Sequence, residues 1–179
     1  MLIVFFIPAI KVNFDGNDYV RVNYTNTTTT TNTITVPGSY YDEVITFEDM
    51  GVSGWKQISN GYRGMNWNYR FYALNANNYT NSGYYIARNS GGIVAYNAWN
   101  ENPVWFETQN QSTFTLKGMW MASAWVGSQS VTIRGIHPNN SYTDKVFTIS
   151  RYSKSWLNTN IPNVKKVEIR RGSSCKCCT

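Results

Sequence analysis

Period two governs this chain. From "DYVRVNY" (18–24) to "VKKVEIRR" (164–171), β-branched, aromatic and aliphatic residues recur at alternate positions in short runs cut by Gly, Asn and Ser. Successive side chains of a strand point to opposite faces, whereas a helix returns to one face every three or four residues, so this pattern selects strands. The runs are "NTITV" (32–36), "EVITFED" (43–49), "RFYAL" (70–74), "GYYIAR" (83–88), "GIVAYN" (92–97), "PVWFET" (103–108), "STFTLKGMWMASAW" (112–125), "QSVTIRGI" (129–136) and "TDKVFTISR" (143–151). Turn signals separate them, among them Asn60–Gly61, "NSG" at 81–83 and "HPNN" at 137–140. No window of ten or more residues carries a helical stripe. Many short strands at this spacing predict an all-β fold, an antiparallel jelly-roll-like β-sandwich.

Composition agrees. Charged residues make up 15% and aromatics 16% of the 179 residues, a balance typical of extracellular β-proteins rich in Asn, Thr, Tyr and Gly. The length suits one domain with tails. The net charge of +6 concentrates late, in Arg151, Lys154, Lys165, Lys166, Arg170, Arg171 and Lys176. Such a stripe reads as a solvated strand face rather than a nucleic-acid footprint.

Two segments stand apart. "MLIVFFIPAI" (1–10) carries no charge, and as a strand it has Ile3, Phe5 and Ile7 on one face and Leu2, Val4 and Phe6 on the other. Both faces demand burial. It is shorter than a membrane span. It resembles the centre of a signal peptide but lacks a basic residue before it and a small-residue cleavage site after it. The Thr-rich "NTTTTTNT" (26–33) reads as a linker. The expected map is therefore an extended N-terminal arm (1–24), a linker (25–42), a β-sandwich (43–171) and a Cys-containing tail (172–179). That tail holds all three cysteines, Cys175, Cys177 and Cys178, which are candidates for intersubunit disulfides.

"FEDM" (47–50), "ISNGYRGMNWNYRFYALN" (58–75), "GGIVAYN" (91–97), "GMWMASAW" (118–125) and "VTIRGI" (131–136) together resemble a family of secreted β-sandwich domains of largely unassigned function. The resemblance implies a jelly-roll-like fold on an exported protein and supplies no activity. The arrangement of arm and sandwich is similar in organisation to subunits of donor-strand pilus fibres.

Catalysis finds little support. His137 is the single histidine and lies in a turn-like loop, the cysteines are terminal, and the neighbouring Glu48 and Asp49 would point to opposite faces of a strand. The expectation is a non-catalytic structural subunit of an extracellular glycoprotein fibre. Residues 2–7 would be donated head-to-tail to the next copy, with no nucleic acid and no membrane span involved. An intramolecular first strand is the competing placement of that segment. The alternative function is a monomeric carbohydrate-binding module, in which Tyr62, Asn66, Trp67, Tyr69 and Trp99 combine aromatic faces with amide partners. Sequons at Asn23, Asn26, Asn78, Asn110 and Asn139 offer N-glycan sites, and the Thr tract offers O-glycan sites. No cofactor is expected, apart from a candidate Ca²⁺ site at Glu48, Asp49 and Asp144.

Overall fold

A computed structural model describes residues 5–14, 20–23, 33–36, 41–88 and 91–172. Before residue 42, the side chains described are those of Ile10 and Val12. The described residues form fourteen strands: β1 (Phe5–Phe14), β2 (Val20–Asn23), β3 (Thr33–Val36), β4 (Tyr41–Ile45), β5 (Trp55–Gln57), β6 (Met65–Trp67), β7 (Phe71–Asn75), β8 (Ile93–Asn97), β9 (Val104–Thr108), β10 (Phe114–Ser123), β11 (Ser128–Ile136), β12 (Tyr142–Ser150), β13 (Ser155–Val164) and β14 (Lys166–Arg171). Among the described residues one short α-helix, α1 (Gly83–Ala87), interrupts the series.

Two antiparallel sheets form a β-sandwich. The larger runs β13-β10-β1-β8-β7-β5, with β4 also paired to β1, and the smaller runs β12-β11-β14-β9-β6. β2 and β3 pair as a separate ribbon. Neighbours in each sheet include strands distant in sequence, as jelly-roll-like connections require. Alternation sets the core. Ile133, Val131, Val167, Ile169, Val104 and Phe106 turn inward from the smaller sheet to meet Ile10, Val12, Phe71, Ala73, Ala95, Met119, Met121 and Leu157 of the larger one.

The described part of the N-terminal segment takes a place in the larger sheet, the intramolecular placement that competed with an extended arm. Its backbone pairs with β10 along one edge, from Phe5↔Ser123 to Phe14↔Phe114, and with β8 and then β4 along the other. Phe5, Phe6 and Ile7 thus lie in an interior strand of their own chain's sheet, while Leu2, Ile3 and Val4 lie outside the described residues. An apolar strand needs cover on both faces and partners on both edges, and here the same polypeptide supplies both edges. The proposed linker also contains structure, because Thr33–Val36 pairs with Val20–Asn23.

Two further elements differ from expectation. "GYYIA" forms α1 instead of a strand. Ser82 caps it by accepting from the Tyr84 amide, and Gly83 sits so close to the Ser123 carbonyl that a Cβ there would collide with it. α1 lies over the outer face of the larger sheet and covers a second apolar cluster of Leu74, Val94, Ala122 and Ala124 with Tyr84 and Ala87. β13, which the sequence did not advertise, pairs with β10 through two register shifts. Asn160 and Asn163 take positive φ at those shifts, so the asparagines and Pro162 are bulge residues of a long strand.

Candidate functional site

The two outer faces of the sandwich differ in chemistry. On the smaller sheet, Arg134 makes a two-pronged bond to Asp144 at 2.8 Å each, Arg170 bonds Glu168 at 2.6 Å, and Lys166 lies 4.0 Å from Glu107 and 4.2 Å from the Trp105 ring centroid. Of the late basic stripe, Lys166 thus pairs with a carboxylate on the neighbouring strand and Arg170 with one on its own strand. Asp144 is held below the usual carboxylate range, chiefly by its bond from Arg134. This is a solvated, self-complementary surface.

The larger sheet presents aromatics instead. Register places Gln57, Tyr72 and Tyr96 side by side on the outer face, with Trp55 beside Leu74 one pleat further along. Tyr72 is the hub. Its ring centroid lies 5.7 Å from Trp55, 6.0 Å from Tyr96 and 5.2 Å from Trp99. Beyond Trp99, the Arg70 guanidinium sits 5.0 Å from the Trp99 ring and 4.6 Å from Tyr69. Tyr96 continues the band through Tyr84, 5.9 Å away, to Trp125. Trp55 is 60% exposed, Trp99 58% and Tyr69 55%, so these rings meet water rather than the core. Desolvation raises the Tyr96 phenol to about 12 and pushes Tyr84 higher still. Both hydroxyls therefore stay protonated at physiological pH and act as neutral hydrogen-bonding groups.

Two short loops hold the outermost rings. In the first, Asn68 is buried and its side-chain oxygen accepts from the Arg70 amide at 2.9 Å, while Gln57 Nε2 donates to the Tyr69 carbonyl. In the second, buried Asn97 clamps Glu101 twice, donating to its carbonyl at 2.8 Å and accepting from its amide at 3.1 Å. The Ala98 amide donates to the Arg70 carbonyl and joins the loops. Arg171 pins the far side through Asn100 Oδ1 at 2.6 Å and, by its amide, through Asn102 Oδ1. Between these anchors Trp99 and Asn100 both take positive φ, 57° and 62°. A bulky side chain in that region is strained by about 1 kcal/mol or more, tolerated only where surrounding contacts over-determine it. The strain holds an indole out in solvent.

Of the five residues expected to hold a sugar, the structure brings together two. Tyr69 and Trp99 flank Arg70 on this face. Trp67 is a core residue, 3% exposed, ringed by Phe47, Phe71 and Phe106 with centroids 5.3–5.6 Å away. Its period-two partner Met65 is buried beside it, so β6 turns both inward and sends Asn66 to the opposite, polar face of the sandwich. Tyr62 packs against Phe47 and donates to Asp49 at 2.6 Å, and burial followed by that bond pushes its phenol up to about 12. Tyr72 falls within the Tyr62–Tyr72 region expected to bind sugar, and Trp55 and Tyr96 are the members that sequence reasoning missed. Their signal was the outward half of the strand alternation, visible only once the register is known.

The candidate Ca²⁺ ligands do not converge. Asp49 is bound by Tyr62 and Arg63, Asp144 by Arg134 on the other sheet, and Glu48 accepts from the Ile93 amide. Among the described residues no three His, Cys, Asp or Glu side chains cluster. His137 Nδ1 donates to the Asn163 carbonyl, and Nε2 lies 3.0 Å from the Thr143 hydroxyl, so both ring nitrogens have partners within the fold. Of the sequons, Asn78, Asn110 and Asn139 are exposed, and Asn23 lies in β2. Asn26 and the three cysteines lie outside the described residues. Among the described residues no helix is long and apolar enough to cross a membrane.

No family model, curated protein or solved structure matches this chain.

Proposed function

We propose that this protein is a non-catalytic, exported carbohydrate-binding β-sandwich that holds glycans on the outer face of its larger sheet. The observation that carries the reading is the exposed band Trp55–Tyr72–Trp99, continued by Tyr69 around Arg70, on the outer face of the larger sheet. Large exposed aromatic patches carry a cost in solubility that folding does not require. Sugar rings suit such a patch because their apolar C–H faces lie on aromatic rings, while their hydroxyls bond to polar groups at the edge. Gln57, Arg70 and Glu101 line that edge. Export is what the composition and the family resemblance imply.

Strand donation into a fibre would require β1 to exchange its pairing with β10, β8 and β4 of its own chain for the same pairing in a neighbouring copy, which favours the carbohydrate-binding reading.

A glycan array probed with the full chain tests the proposal. Selective binding is expected, abolished by Trp99→Ala and by Trp55→Ala and retained by Trp105→Ala on the opposite face. A blank array, or binding indifferent to Trp99 and Trp55, refutes it.

A further inference from the structure

The rings of the band are not coplanar. Tyr72 is inclined by 58° to Trp55, by 67° to Trp99 and by 50° to Tyr96. A flat crystalline polysaccharide touches several rings at once only when those rings share a plane, and Tyr72 shares a plane with none of its three neighbours. A single chain in solution can turn from one sugar to the next and lay each on a differently inclined ring. The span is short, since both indoles lie beside the same tyrosine, so two or three consecutive sugars cover it.

The polar groups beside Trp99 narrow the chemistry further. Arg70 and Glu101 stand together there, with Arg70 Nε buried and 3.7 Å from Glu101 Oε2, beyond hydrogen-bond length. That nitrogen is shut off from solvent, so a ligand meets the exposed third of the Arg70 side chain rather than Nε. A guanidinium only donates and a carboxylate only accepts, so together they satisfy two neighbouring hydroxyls, each of which can do both. Their charges cancel locally. What an acidic sugar gains from Arg70 it loses to the neighbouring Glu101, and an amino sugar meets the reverse, so the pair favours neither charge and serves an uncharged sugar through hydroxyl contacts.

We propose that the Trp55–Tyr72–Trp99 band takes a single, uncharged glycan chain, with Arg70 and Glu101 holding a vicinal pair of hydroxyls on the sugar stacked over Trp99. This rests on the carbohydrate-binding reading above and specifies the class and physical form of its ligand. Binding held by stacking and neutral hydroxyl contacts depends little on ionic strength, whereas binding to a polyanion falls steeply as salt rises.

The experiment is affinity electrophoresis of the full chain through gels containing soluble β-glucan, xylan, galactomannan, polygalacturonate or a sulfated galactan, with sedimentation against microcrystalline cellulose and chitin in parallel. Titration calorimetry with a tetrasaccharide of any retarding polymer follows, at low and high salt. Retardation by at least one neutral soluble polymer is expected, with Kd changing less than about twofold between roughly 50 and 500 mM salt. Glu101→Gln and Arg70→Gln are each expected to weaken it about tenfold. Glu101→Gln keeps the side-chain shape and leaves the backbone clamp to Asn97 in place, so it reports on the hydroxyl contact even if Arg70→Gln perturbs the loop. Binding only to the charged polymers, or only to the crystalline ones, overturns the neutral single-chain assignment and leaves a glycan-binding face intact. Failure to bind any carbohydrate overturns both proposals. So does a concentration-dependent dimer that Trp99→Ala abolishes, which would give the face to a second copy of the chain.

Discussion

Replacing Trp67 by Ala separates the two roles that aromatic residues play in this protein. Trp67 touches the rings of Phe47, Tyr62, Phe71 and Phe106, and its indole N–H donates to the Tyr62 carbonyl at 2.9 Å. Truncating a buried Trp to Ala typically costs about 3–5 kcal/mol through lost transfer energy and the cavity left behind. Leaving the Tyr62 carbonyl without its donor adds about 1 kcal/mol. The expected loss is therefore roughly 4–6 kcal/mol, a large part of the roughly 5–15 kcal/mol that holds a typical domain. With a urea m-value of about 2–3 kcal/mol/M, the unfolding midpoint should fall by roughly 2 M. Trp99→Ala, by contrast, removes a ring that is mostly in water and should move the midpoint by less than about 0.5 M. Urea melts followed by far-UV circular dichroism measure both. A Trp67→Ala protein within about 1 kcal/mol of the parent, with lost glycan binding, would return Trp67 to the sugar site and refute the division between core and face.

Three further outcomes follow from the same geometry. Trp99→Gly should be more stable than Trp99→Ala by about 1 kcal/mol, because glycine alone takes the φ of 57° without strain; equal melting temperatures would remove the strain from that loop. Deleting residues 1–14 removes an interior strand of the larger sheet and should abolish cooperative unfolding, whereas a stable, soluble monomer from that truncation would restore strand donation. Asp49 and Asp144 are held below the usual carboxylate range, by the Tyr62 hydroxyl and by Arg134 respectively, so the stability they confer is full above their unfolded value of about 3.9 and declines as pH falls below it. Glu43, raised by burial, works in the opposite sense, and Asp144→Asn should flatten the acid limb of melting temperature against pH, by a modest amount that salt reduces.

Much of the sandwich was legible because β9, β11 and β14 alternate cleanly, and a half-buried strand advertises itself that way. β13 was hidden by Asn160, Pro162 and Asn163, which sit at the bulges against β10. α1 was hidden by its five-residue length and by Tyr and Ile, which favour strands in isolation; contact with Leu74, Val94 and Ala122 outweighs that preference. The place of β1 depends on pairings a hundred residues away, which no local pattern carries. At the candidate site, Trp99 was legible as an aromatic beside turn residues, and Trp67 looked the same. Only the inward turn of β6 tells them apart. Trp55, Tyr72 and Tyr96 meet through the cross-strand register of β5, β7 and β8, so the site belongs to tertiary structure rather than to a motif.

The indole N–H resonances of the seven tryptophans test the central claim most directly. During titration with a soluble neutral oligosaccharide, the signals of Trp55 and Trp99 should shift together and saturably, while those of Trp67 in the core and Trp105 on the opposite face stay fixed. Movement at Trp105 without movement at Trp99, or seven unmoved signals at saturating sugar, would contradict a glycan-binding aromatic face on the larger sheet.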